Sequence, residues 1–282
     1  MSKINARRAA VAPDTATVEC SSLAMVTDAL TGGHDNYALD RSVATELRDA
    51  APEQLVRAAA LASVTFRGAV VRRLAGQGIR QFIDWGPCIP RPVHRPDTYA
   101  IARRANPSCR VAFVDVDSHL MIHLDGLVDL SESRSLLTLP AGRLGDANAV
   151  LDDPEVRRVI DIASPVAVLL AGTVGRLGTA QAQKLVDVLR RRLAPGSYLA
   201  ISQYTSTDPV IRARTTAILR GAAGGAWGGV RAPKQVAALF RGLEVQRPSL
   251  LGDVGAWTGE VGPWTSFVQF GGLGRITAGP ET

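Results

Sequence analysis

Cysteine is scarce in this chain of 282 residues: Cys20, Cys88 and Cys109 are the only three. They are too few for a disulfide framework and lack metal-ligand spacing, and they fit a reducing cytoplasm. Aromatic residues make up 5% and are not interleaved with the basic groups, so stacking on nucleic-acid bases has little support. No apolar run approaches the roughly 18–20 residues that span a bilayer. Lys3, Arg7 and Arg8 are followed by no apolar segment, so no secretory signal is expected. No internal repeat recurs and no linker clearly divides the chain.

What is present is a large apolar fraction, 46%, enough for a sizeable core. The net charge of +6 invites a polyanion-binding reading. The basic residues, however, come as short groups inside expected helices: Arg72-Arg73, Arg103-Arg104, Arg157-Arg158 and Arg190-Arg191-Arg192. They read as solvated helix faces. Neither a nucleic-acid nor a membrane partner is expected.

Residues 1–20 read as a flexible tail. Ser21 to Ala50 is broken at Thr31-Gly32-Gly33. Pro52 can open a helix that runs to about Ala75, with apolar residues at helical spacing, and Gly76 and Gly78 stop it. Strand and helix signals then alternate. Strands are expected at Gln81–Trp85, Arg110–Asp115, Ser135–Leu139, Val166–Leu170 and Tyr198–Ser202. Helices are expected at Thr98–Ala105, Ser118–Leu127, Asn148–Ile160 and Thr179–Leu193. Five alternations argue a doubly wound parallel sheet. Further helices follow at Pro209–Arg220 and Pro233–Phe240. Leu243–Leu250 and Ser266–Phe270 are candidates for a closing antiparallel pair.

Three segments carry a family resemblance. Asp28-Ala29-Leu30-Thr31-Gly32-Gly33-His34-Asp35-Asn36-Tyr37, continuing to Asp40-Arg41, is similar to D-Y-L-L-G-G-K-D-N-F…D-R. Gly78-Ile79-Arg80-Gln81-Phe82-Ile83-Asp84 is similar to G-I-R-Q-F-L-D, and Phe270-Gly271-Gly272-Leu273-Gly274-Arg275 to Y-G-G-V-G-R. The chain thereby resembles the actinobacterial S-adenosyl methyltransferase family from about Ser21 to Arg275. The resemblance implies an α/β fold: a Rossmann-like, seven-stranded methyltransferase sandwich forming one domain over 21–282. Within it, residues 21–77 would be a helical lid segment, 78–205 the Rossmann-like core, and 206–282 the closing helices and strands.

The resemblance also implies S-adenosylmethionine as cofactor and places its contacts at Asp84, Gly86, Cys88, Asp115, Val116, Gly142 and Arg143, with Gly33 and Asn36 from the lid. Asp115 ends the second strand, where an acidic residue commonly accepts hydrogen bonds from ribose hydroxyls. Several positions depart from the family pattern. D-I-G-T-G-L-P-T is Asp84-Trp85-Gly86-Pro87-Cys88-Ile89-Pro90-Arg91 here, so a proline removes a donor and a thiol replaces a glycine. The aspartate of A-D-L-R-D is replaced by Gly142, and Asp146 could substitute only if its loop folds back. An N-R pair in the preceding helix falls on Ser63-Val64, and Gly172-Thr173-Val174-Gly175 replaces V-L-H-x. Two readings stay open: methyl transfer to a small-molecule acceptor, or a methyltransferase-shaped binding protein or repurposed enzyme. Positioning does most of the work in methyl transfer, so no catalytic acid or base is assigned.

Other constellations have plainer explanations. His119 and His123 are four apart, as metal ligands on a helix can be, yet they read as a solvated face and no metal is expected. Cys88 and His94 share a loop without a third, orienting group. Trp227, Trp257 and Trp264 read as packed rings, with an acceptor pocket as the other use. The oligomeric state is not fixed by the sequence.

Overall fold

The computed structural model describes residues 20–91, 96–127, 133–140, 142–225, 227–247, 251–259 and 266–278. Most of the expected tail, together with His94, Arg95, Trp264 and residues 248–250, lies outside the described residues.

Three helices come first: α1 (Leu23–Leu30), α2 (Ala38–Ala50) and α3 (Glu53–Gly76). Strands and helices then alternate as β1 (Gln81–Trp85), α4 (Thr98–Ala105), β2 (Arg110–Asp115), α5 (Ser118–Leu127), β3 (Arg134–Thr138), α6 (Ala147–Asp152), α7 (Pro154–Val159), β4 (Ala167–Ala171), α8 (Thr179–Arg192) and β5 (Tyr198–Thr205). The chain closes with α9 (Pro209–Ala222), α10 (Pro233–Ala237), β6 (Glu244–Val245), β7 (Gly252–Asp253) and β8 (Val268–Arg275). The expected helix Asn148–Ile160 is two helices. Pro154 cannot donate a backbone hydrogen bond and pushes Asp153 out of helical geometry. Asp153 instead caps α7, accepting from the Glu155 and Val156 N–H groups.

The sheet order is β3-β2-β1-β4-β5-β8-β6, with the two-residue β7 added on β8. There are thus eight strands rather than the expected seven, because the closing segment pairs twice with β8. β1 to β5 are parallel, while β8 runs antiparallel to β5 and β6. The closing strand extends to Arg275, past the expected end at Phe270.

The central strands are buried on both faces, as parallel strands covered by helices must be. Side chains alternate between the faces with the period of two that a strand imposes. Ile83, Trp85, Val168 and Leu170 face α6, α7 and α8 through Val150, Val156, Leu185 and Leu189. Phe82, Phe113 and Leu169 face α3, α4 and α5 through Phe66, Val70, Leu74, Ile101 and Leu124. A third apolar cluster, with Val26, Leu30, Leu47, Val56 and Leu219, binds α1 and α2 to α3 and α9. The 24-residue α3 has the length and apolar composition of a membrane span, but 56% of its most apolar window is buried inside this fold.

Candidate functional site

The carboxyl ends of β1, β2, β4 and β5 open onto one crevice. Gly86, Cys88 and Asp115 line it. Gly86 follows β1 with φ +78°, a conformation that glycine adopts without strain. A Cβ there would also lie 2.5 Å from Thr173 Oγ1. The Gly86 N–H donates to the Val114 carbonyl at 2.8 Å, and the Thr173 hydroxyl donates to the Trp85 carbonyl. The turn is therefore pinned between its neighbouring strands. Cys88 is half-buried with a free thiol.

Asp84 sits beneath the turn, 1% exposed. Arg67 of α3 pairs with it, and the Thr98 hydroxyl donates to its Oδ2 at 2.6 Å. Arg67 Nη2 also donates to the carbonyls of Gly86 (2.8 Å) and Ala171 (2.9 Å). One guanidinium thus ties the ends of β1 and β4 together. The positions where the family has its N-R pair hold Ser63-Val64, and Arg67 stands one turn further along the same helix.

Asp115 closes β2, 1% exposed. Its Oδ1 accepts from the N–H groups of Val116 (2.6 Å) and Asp117 (3.0 Å). Arg176, in the 3-10 turn Thr173–Arg176 after β4, brings Nη1 to 2.9 Å from both carboxylate oxygens. Burial pulls the Arg176 guanidinium down, but the Asp115 charge and hydrogen bond outweigh it and hold its pKa above the ordinary value.

The other predicted cofactor contacts do not line the crevice. Val116 lies beside it, where its N–H helps to fix Asp115. Gly142 stands in the turn after β3 with nothing within 4 Å of its would-be Cβ. Arg143 pairs with Asp146 at 2.5 Å, and Asp146 caps α6 through the Ala149 N–H. That bond, then Arg143, holds the Asp146 carboxyl below the ordinary carboxylate range. Asp146 does not fold back to the crevice. Gly33 and Asn36 surround Asp28, which accepts from Asn36 Nδ2 (2.9 Å) and Arg91 Nη2 (2.6 Å). Gly33 passes so close that a Cβ would lie 1.8 Å from Arg91 Nη2. This segment fastens α1 to the loop after β1, and the residues that cover the crevice come from α1 itself: Leu23, Ala24 and Thr27.

Across β5, the crevice continues to Gln203, Tyr204, Trp227 and Gln269. Burial pushes the Tyr204 phenol well up, so it stays protonated at neutral pH. Gln269, paired with Tyr204 across the β5–β8 ladder, donates from Nε2 to the hydroxyls of Ser63 (3.2 Å) and Ser202 (3.0 Å). Among the described residues, no group of three His, Cys, Asp or Glu is placed to hold a metal. Trp257 packs edge-on against Phe66 with ring centroids 5.4 Å apart.

Sequence reasoning missed Arg67, Arg176, Tyr204 and Gln269. Arg67 gave one signal, a charge beside Phe66 on the apolar face of a helix that must cover the sheet. Gln269 gave another, a polar residue between apolar neighbours in a buried strand. Arg176 carried none, because its reach to Asp115 depends on the 3-10 turn after β4.

The sheet order, the crevice at the strand ends and the acidic residue closing β2 define a Rossmann-like S-adenosylmethionine-dependent methyltransferase fold. The S-adenosyl methyltransferase family model matches residues 10–277, and the chain belongs to that family. A candidate methyltransferase from Thermobifida fusca YX is similar at 28% identity, with a TM-score of 0.79 over 95% of this chain and 100% of that one. A DUF574 family protein from Streptomyces avermitilis is similar at 25% identity, with a TM-score of 0.73 over 91% and 98%. No curated protein matches.

The family's cofactor is S-adenosylmethionine. The residues present fit its adenosyl part at Asp115 on one condition. Among the described residues, Asp115 Oδ2 accepts only from Arg176, so it keeps acceptor capacity. The edge it would offer to a ribose diol is the edge that Arg176 covers, and Arg176 must yield it.

Proposed function

We propose that this protein transfers the methyl group of S-adenosylmethionine to a small molecule. The observation that carries this reading is the crevice itself, in which the left-handed Gly86 turn and the backbone-fixed Asp115 carboxylate face one space beneath α1. Asp115 would hold the ribose hydroxyls, and Gly86 would let the ligand approach the backbone closely. Cys88 would stand beside it, and Asp84, locked by Arg67 and Thr98, would hold the turn from below. Gly142, Arg143, Gly33 and Asn36 would support the site from outside the crevice.

The bound cofactor supplies an electrophilic methyl group on a sulfonium. The chain's own part is to bind, orient and exclude water. Leu23 and Ala24 cover the space with apolar surface. Among the described residues, no lining carboxylate, imidazole or amine stands at the Tyr204 end, and the Tyr204 phenol is held protonated. Rate enhancement would therefore come from positioning the acceptor. The three cysteines, all free, favour a reducing cytoplasm as the place of action.

Calorimetry with S-adenosylmethionine and S-adenosylhomocysteine tests the reading. Binding should be seen, and Asp115→Ala should weaken it by about tenfold or more, the value of a charge-assisted hydrogen bond. An unchanged affinity would put the pocket elsewhere. No heat from either ligand at millimolar concentration would favour a non-methylating protein on the same fold, with the Arg176–Asp115 pair as the reason.

A further inference from the structure

The crevice is charged at one end and neutral at the other. Asp115 and Arg176 compensate each other near β2. Three and four strand spacings away, roughly 14 and 19 Å, Tyr204 on β5 and Gln269 on β8 line the β5–β8 end together with Trp227 and Val230. Arg231 lies behind them, 5% exposed, and its donors are spent on the carbonyls of Val174 and Leu177 and on Gln203 Oε1. Among the described residues, no formal charge faces this end.

Two buried polar atoms of this end have no partner among the described residues: Gln269 Oε1, an acceptor, and Trp227 Nε1, a donor. Their residues are 1% and 8% exposed. Buried polar groups are almost always hydrogen-bonded, and an orphan is costly. Both residues also line the crevice, so a ligand seated directly against them can satisfy one group of each kind. Gln269 is held by its amide to the hydroxyls of Ser63 and Ser202, so the rest of the amide stays in place.

Resting on the methyl-transfer reading above, we infer that the β5–β8 end is the acceptor subsite and takes a neutral, largely apolar molecule bearing one hydrogen-bond donor and one acceptor. The donor goes to Gln269 Oε1 and the acceptor receives the Trp227 N–H. An ionised group would find no direct ion-pair partner here, because Arg231 is 5% exposed and its donors are spent on neutral oxygens, and it would be desolvated without a hydrogen-bonded counter-ion. Leu23, Val230 and the two aromatic rings supply the apolar wall. Because no base stands at this end, the acceptor atom must be nucleophilic as it arrives.

The test uses four probes: 2-quinolinone, which has both groups; 1-methyl-2-quinolinone, which lacks the donor; naphthalene, which lacks both; and 2-naphthoate, which is anionic. Each is titrated calorimetrically into the full chain, alone and saturated with S-adenosylhomocysteine. 2-Quinolinone should bind about tenfold or more tighter than naphthalene and the methylated probe, and 2-naphthoate more weakly than naphthalene. Gln269→Leu should bring 2-quinolinone to within about threefold of its methylated analogue, and Trp227→Phe should weaken 2-quinolinone several-fold while keeping its preference over the methylated probe. Trp227→Phe removes part of the packed ring along with the N–H, so the melting temperature of each ligand-free variant is measured to confirm that it is folded under the titration conditions. Equal binding of all four, preference for the anion, no binding of any, or an unchanged 2-quinolinone affinity in both variants would overturn the inference. The methyl-transfer reading fails separately, in the S-adenosylhomocysteine titration, and the probes without that ligand still test the subsite.

Discussion

Replacing Arg176 by alanine should have two effects of opposite sign. In the free protein Arg176 Nη1 donates to both oxygens of Asp115 at 2.9 Å, and its side chain is 17% exposed against 1% for the carboxylate. Removing one partner of so buried a pair costs about 3–5 kcal/mol. The lower end applies here, since the Val116 and Asp117 N–H groups still hold Oδ1. At roughly 2–4 °C per kcal/mol for a chain of this size, the melting temperature should fall by roughly 6–12 °C. A ribose that binds Asp115 must first displace the same guanidinium. Breaking a charge-assisted hydrogen bond is worth about 1.5–3 kcal/mol, so the variant should bind S-adenosylhomocysteine about 10- to 100-fold tighter. The protein melts earlier when free yet gains more on adding ligand. Calorimetry and ligand-dependent melting read both arms. Weaker binding by Arg176→Ala would refute the reasoning, because it would mean that Arg176 holds the ligand rather than competing with it.

Arg67→Leu should destabilise the fold by about 3–5 kcal/mol by leaving Asp84 buried and unpaired, and adding Asp84→Asn should restore most of the loss; chemical denaturation of both variants checks this. Asp253 caps the turn at Gly255 while burial raises its pKa, so the charged form is disfavoured in the folded state. Stability from this group is therefore lost as pH rises through that raised value, and Asp253→Asn, which keeps the capping oxygen, should raise the melting temperature at pH 7 but not at pH 3. Asp146 has the opposite sign: its lowered pKa gives stability that is present above the ordinary value of 3.8 and lost as pH falls through the folded one. Asp146→Ala should therefore lower the melting temperature at pH 7, with the gap closing toward pH 3.

The sheet was legible in the sequence because its strands are apolar on both faces and its helices carry their own punctuation. β1, β2, α4 and α5 fall at the expected residues. The split at Pro154 was equally available, since the rule that breaks the helix is local. The strands at the closing edge were harder. β6 and β7 have two residues each, and only pairing with β8 makes them strands, so no window of sequence contains the cause.

The site was legible where its backbone does the work and obscure where side chains reach across the fold. Gly86 and Asp115 could be placed because a turn and a strand end fix them. Gly33 and Asn36 fit a lid or a tight turn between helices equally well in the sequence; in the structure Asp28 and Arg91, 63 residues apart, hold them. Position-by-position comparison counts the helix guanidinium as lost at Val64. Electrostatics requires only that some guanidinium reach the strand ends, and Arg67 does so from one turn later, bridging Asp84, Gly86 and Ala171. The same reasoning explains Arg176. A carboxylate 1% exposed must be paired in the absence of ligand, and two backbone N–H groups leave one oxygen open. A cation from the nearest turn closes it. The crevice is thus kept electrically quiet by residues that no motif contains.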